Sequence, residues 1–137
     1  MTIRQYFENK INWKIFNSIL DKCTEFEDKN ITYILNVCVK KQASPSIEPF
    51  YDTIYTRFYV NDSNIRIHYD DEEFKLDDYI KLYERDGLYY MVSVGGKNTK
   101  NIDLKNRFLN NKKLDFITEF EEDGVISIVL KEKHENI

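Results

Sequence analysis

Nine consecutive positions, Ile31-Thr32-Tyr33-Ile34-Leu35-Asn36-Val37-Cys38-Val39, carry no charge, are rich in β-branched side chains and are apolar at nearly every step. A strand with one face in water alternates apolar and polar residues. A run that is apolar on both parities has to be covered on both faces, so these residues read as a strand inside a sheet. Around it the chain must supply neighbouring strands and at least one covering layer.

The layer comes from helical segments. Residues 2–28 place Phe16, Ile19, Leu20 and Cys23 at the i, i+3, i+4, i+7 spacing of a helix, with Asn12 as an N-cap that restarts the helix after a break. Leu76, Tyr79, Ile80 and Tyr83 form a second stripe, with Asp77 and Asp78 in its first turn and Gly87 at its C-terminal stop. A third helix is expected over 101–112, with Leu104, Phe108 and Leu109 inward. Residues 88–94 read as another strand, closed by Gly95 and Gly96.

Two hairpins complete the pattern. Over 50–70 the spacing of Phe50, Ile54 and Phe58 fits a helix, but the dominance of Tyr, Thr, Phe and Ile favours strands. A four-residue loop at 61–64 sets Val60 opposite Ile65 and Phe58 opposite Ile67, which makes one face wholly apolar. The other face then carries Tyr51, Thr53, Tyr55, Arg57 and Tyr59, with Arg66, His68 and Asp70 beside them and His68 opposite Arg57. At the C-terminus, a three-residue loop of Glu122, Asp123 and Gly124 sets Phe120, Thr118 and Phe116 opposite Ile126, Ile128 and Leu130, whereas a two-residue Asp123-Gly124 turn sets glutamates there. The alternation selects the longer loop, with Gly124 left-handed. The expected fold is therefore α+β: one domain over 1–137, with an antiparallel or mixed sheet of about six strands and two or three helices packed mainly on one face. A polar tail follows from about residue 132.

Function is less marked. The net charge of −4 argues against a general nucleic-acid binder. Cys23 and Cys38 lack a CxxC or histidine companion and read as reduced core thiols of a cytoplasmic protein. No leader and no membrane-length apolar run is visible. His68 has no serine or cysteine arranged as a triad around it, the acids at 70–78 lack EF-hand spacing, and Gly95-Gly96-Lys97 fails the phosphate-loop pattern, so neither enzyme, metal nor cofactor is expected.

Charge is segregated. Segment 97–113 holds six basic residues against Asp103 alone, and segment 62–86 holds nine acids against four bases. Eight of the ten tyrosines lie between Tyr51 and Tyr90, and Tyr and Arg dominate binding hot spots. These features point to a small acidic protein-binding module acting stoichiometrically, of the kind exemplified by a bacterial immunity protein or inhibitor that neutralises a basic toxin or nuclease. The candidate contact residues are Tyr51, Tyr55, Arg57, Tyr59, Arg66, His68, Asp70, Asp71, Glu72, Glu73, Asp77 and Asp78. The alternatives are an enzyme using scattered residues of the Tyr/Arg/His face, and a nucleic-acid binder using segment 97–113.

Overall fold

The computed structural model describes residues 1–25, 31–59, 65–69, 75–96, 103–108 and 111–133. The fold is α+β, with the elements α1 (Ile3–Glu8), α2 (Trp13–Glu25), β1 (Ile31–Lys41), β2 (Phe50–Tyr59), β3 (Ile65–Tyr69), α3 (Leu76–Asp86), β4 (Tyr89–Gly96), α4 (Leu104–Phe108), β5 (Leu114–Glu122) and β6 (Val125–Glu132). Every pairing is antiparallel, in the order β3-β2-β1-β4-β6-β5, with β3 placed by its backbone register. The uncharged run of β1 lies between β2 and β4, in the interior that its two-sided apolar character demands.

Local chemistry sets the helix ends. Thr2 opens α1 with a reciprocal cap, its hydroxyl accepting from the Gln5 N–H while the Gln5 carboxamide accepts from the Thr2 N–H. The chain then breaks, and the Asn12 side chain accepts from Ile15 N–H at 3.2 Å to start α2. Gly87 closes α3 at φ +76, its N–H donating to the Tyr83 carbonyl at 2.7 Å. The third expected helix is shorter than its apolar spacing implied. Among the described residues it spans Leu104–Phe108, with Leu104 and Phe108 buried.

All four helices send side chains into one core. Ile3, Phe7, Ile15, Phe16, Ile19, Leu76, Tyr79, Leu104 and Phe108 pack with Tyr33, Leu35 and Val37 of β1, Tyr90, Val92 and Val94 of β4, and Ile128 and Leu130 of β6. A smaller cluster of Cys38, Tyr51, Tyr89 and Val129, with Met91 against it, contains strand residues alone. It lies on the other side of the sheet. Among the described residues four helices are present, where two or three were expected, and all four feed the larger cluster.

Two β-bulges alter the register expected from strict alternation. Val37 pairs with Tyr55 and Cys38 with Thr53, which leaves Ile54 as the extra residue in β2. Ile54 and Tyr55 are both buried in the main core, whereas Tyr51 joins the small cluster on the opposite face. In the C-terminal hairpin Glu122 pairs with Val125, so the turn is the two-residue Asp123-Gly124 with φ of +52 and +80. Positive φ at both central residues is the type I′ geometry, whose twist matches that of the strands. Phe120 therefore pairs with Ser127, and Thr118 with Val129. The expected pairs of these two residues with Ile126 and Ile128 are corrected. A bulge at Ile117 then restores the expected pair of Phe116 with Leu130.

The β2–β3 register is also one residue from the expected one. Arg57 pairs with Ile67, Thr56 with His68 and Phe58 with Arg66.

Candidate functional site

The bulge at Ile54 divides the tyrosine face. Tyr51 is 9% exposed, and its ring meets that of Tyr89 edge-on at 5.2 Å on the sheet face opposite the described helices. Tyr55 lies on the helix side, 3% exposed, against Trp13 and Phe16 at 5.3 Å each. Expecting Tyr55 as an exposed anchor is therefore incorrect: one extra residue in β2 turns it into the core. Arg57 follows Tyr55 in parity and pairs with the buried Leu35, and its Nε is closed off from solvent without a hydrogen-bond partner. Tyr59, Arg66 and His68 are placed by register alone, with His68 opposite Thr56 rather than Arg57. Asp77 and Asp78 are exposed in the first turn of α3, so the helix layer carries them rather than the Tyr51 face. Asp70, Asp71, Glu72 and Glu73 lie outside the described residues. The twelve expected contact residues are thus not gathered into a single described surface.

The sheet face opposite the described helices carries buried polar pairs. Thr56 donates to Asn36 Oδ1 at 2.7 Å between β2 and β1, and the hydroxyls of Ser93 and Ser127 meet at 2.7 Å between β4 and β6. All four residues are buried although their strand positions face away from the helices. Such cross-strand pairs satisfy these buried polar atoms internally. Around them stand Met91, Val129, Tyr51 and Tyr89, with the Lys131 ammonium 4.9 Å from the Tyr89 ring centre.

The face runs out to an edge at β5, where Ile117 is 40% and Phe120 39% exposed. Phe120 stands opposite Ser127 and so has the parity of that face. Residues 114–124 contain five acids and no base. Asp115 meets Lys133 at 3.6 Å, but Glu119, Glu121, Glu122 and Asp123 are exposed and make no ion pair among the described residues. An acidic edge strand with two exposed large hydrophobics was legible only in part: the missing bulge left Phe120 assigned to the core.

No family model, curated protein or solved structure matches the chain.

Two residues of the basic segment, Lys105 and Arg107, are engaged within the protein, while Lys112 and Lys113 are exposed. Lys105 Nζ sits 4.4 Å from the Phe116 ring centre, and Arg107 donates to the Tyr33 hydroxyl. Lys112 and Lys113 join Lys14 and Lys133 around a cleft of about 490 Å³, into which Asn12 and Glu132 also project, hydrogen-bonded to each other at 2.9 Å. Lysines 97 and 100 lie outside the described residues.

Among the described residues, several groups have perturbed acidity. Burial pushes both Cys23 and Cys38 up to about 12. Burial, with the Glu132 charge second, also takes Tyr90 to about 12, and burial raises Tyr51 and Tyr89. For Asp52 burial acts upward, but hydrogen bonds from Lys41 and Tyr79, at 2.8 and 2.7 Å, and the charges of Lys41 and Lys75 outweigh it, holding the carboxyl below its usual range. Each of these groups is moved away from neutrality, the reverse of what a general acid or base needs. The Asp52 cluster joins α3 to β1 and β2. It was not foreseen, because its partners are distant in sequence. Among the described residues no cluster of three His, Cys, Asp or Glu could hold a metal, and no helix is long and apolar enough to cross a membrane.

Proposed function

We propose that the protein is a stoichiometric protein-binding module of the bacterial cytoplasm that captures a basic partner, in the manner of an immunity protein or inhibitor acting on a toxin or nuclease. One observation carries the reading. Exposed Ile117 and Phe120 on an edge strand are flanked by four carboxylates that meet no cation among the described residues, and Thr56, Asn36, Ser93 and Ser127 in the same sheet are paired across strands. Apolar anchors act mainly after encounter, by slowing dissociation. Unpaired surface charges act mainly on encounter, and salt screens them over roughly 8–10 Å at physiological ionic strength.

The test is capture from the host by the tagged protein, purification of the captured partner, and surface plasmon resonance with the reconstituted pair. A 1:1 complex is expected by sedimentation, with an association rate that falls as salt rises. Reversing Glu119, Glu121 and Glu122 to Lys should slow association severalfold, and Phe120→Ala should speed dissociation. Reversing Asp77 and Asp78 on α3 should leave both rates unchanged if the β5 side is the docking surface. Salt-insensitive association that also tolerates the triple reversal would overturn the proposal, as would failure to recover a saturable 1:1 partner.

A further inference from the structure

We infer that β5 accepts an extended basic segment of the partner as an additional strand, a binding mode that rests on the protein-binding reading above. β5 pairs with β6 on one side and with no other described strand, so alternate backbone N–H and C=O groups along its nine residues point outward without ladder partners. Beyond the bulge at Ile117, residues 118–122 run in unbroken register to the turn. This stretch has no proline, so it can add a strand along its length.

The side chains specify the occupant. Glu119 and Glu121 stand opposite Ile128 and Ile126, on the helix-side parity, and both are exposed. Phe120 has the other parity, opposite Ser127. A strand laid against this edge therefore meets carboxylates on one of its faces and an aromatic ring on the other. A segment alternating Lys or Arg with apolar residues satisfies both, because cross-strand neighbours lie only about 4.5–5.5 Å apart. A second copy of this chain fits poorly. Antiparallel pairing of β5 with itself sets the same carboxylates against each other, and no basic residue between positions 114 and 124 relieves them. Charge complementarity thus selects a basic partner strand over self-association.

The probe is a nine-residue capped peptide alternating lysine and valine. It is compared with a version N-methylated on alternate residues, which keeps the charge but cannot complete the ladder, and with a version carrying glutamate for lysine. Binding is followed by fluorescence anisotropy and by amide hydrogen exchange resolved by NMR. The lysine peptide should bind and slow exchange of the outward amides in 118–122. N-methylation should weaken binding at least about tenfold, as expected for losing one or two ladder hydrogen bonds. The glutamate peptide should not bind, and the Glu119→Lys/Glu121→Lys variant, shown folded by circular dichroism, should lose the lysine peptide.

Equal binding of the N-methylated peptide, or binding without protection of 118–122, would overturn strand addition. So would a β5-mediated dimer of the protein by sedimentation, since it would name a different occupant. If the peptide fails while capture of the host partner still depends on Glu119 and Glu121, strand addition falls and the protein-binding reading stands. If both fail, the underlying reading falls with it.

Discussion

Replacing Gly124 tests the turn from which the β5 register is built. Gly124 has φ +80 and follows Asp123 at φ +52, and a Cβ added at Gly124 meets nothing within 4 Å. The cost of a side chain there is therefore conformational rather than steric. For Ala it should be about 1 kcal/mol, for β-branched Val about 1–2 kcal/mol, and for Asn, which visits the left-handed region more readily, less than for Ala. Gly95 is the internal control. Its Cβ would sit 3.8 Å from Val125 Cγ2, an ordinary contact, on a strand backbone without positive φ. Ala at 95 should be neutral or stabilising by up to about 1 kcal/mol, because the unfolded chain loses freedom at no native cost. For a chain of 137 residues the unfolding entropy near the midpoint is about 0.3 kcal/mol/K, so 1.5 kcal/mol corresponds to roughly 5 °C. Urea and thermal unfolding by circular dichroism would measure both. The order expected is Gly124→Val least stable, then Ala, then Asn. A Gly124→Val melting point equal to wild type would show that the turn is not left-handed, and the two-residue register would fail with it.

Two other outcomes follow from the partly buried Asp52 and from the buried thiols. Asp52→Asn should cost about 1–3 kcal/mol at pH 7, where the carboxylate accepts charge-assisted hydrogen bonds. Because the folded carboxyl is held below its usual range, its contribution is present above the unfolded value near 3.9 and is lost as pH falls through the folded value. The difference in urea midpoint between variant and wild type should therefore shrink from pH 7 toward pH 3, and a difference constant over that range would refute the assignment. Both thiols are buried and raised to about 12, so a disulfide reagent at pH 7.5 should label neither Cys23 nor Cys38 until the protein unfolds. Rapid labelling of the native protein would contradict their placement.

What the sequence revealed and what it concealed divide along the range of the interactions. The interior place of β1, the Asn12 restart and the Gly87 stop each depend on neighbouring residues and were readable. Both hairpin registers were misjudged by one residue; the expected loop at 61–64 lies outside the described residues, and the second loop is one residue shorter than expected. The bulges at Ile54 and Ile117 made the errors consequential. Strict alternation keeps Tyr51 and Tyr55 on one face, but the extra residue at Ile54 separates them. In the second hairpin the Asp123-Gly124 turn and the pair of Phe116 with Leu130 had looked like competing demands. They are compatible only if one extra residue lies between them, and Ile117 is that residue. The conflict between a strong turn signal and a strong core pair was itself the evidence for a bulge.

The acids of β5 bear on self-association and on recognition at once. An edge strand with outward backbone groups invites pairing with any other strand, and charged side chains and a bulge are the usual protection. Glu119, Glu121, Glu122 and Asp123 give that protection against copies of this chain, because each copy presents the same sign. The protection is selective rather than general: repulsion by carboxylates becomes attraction when the incoming strand is cationic, while the bulge interrupts pairing only near Ile117. The paired hydroxyls of Ser93 and Ser127 extend the same logic to the adjacent face. They satisfy these buried polar atoms internally, so contact beside Phe120 can be apolar. Under the proposed strand addition, discrimination comes from the charge at the edge and persistence from the rings and backbone behind it. Mutations of the two kinds should accordingly separate into changes of association and changes of dissociation.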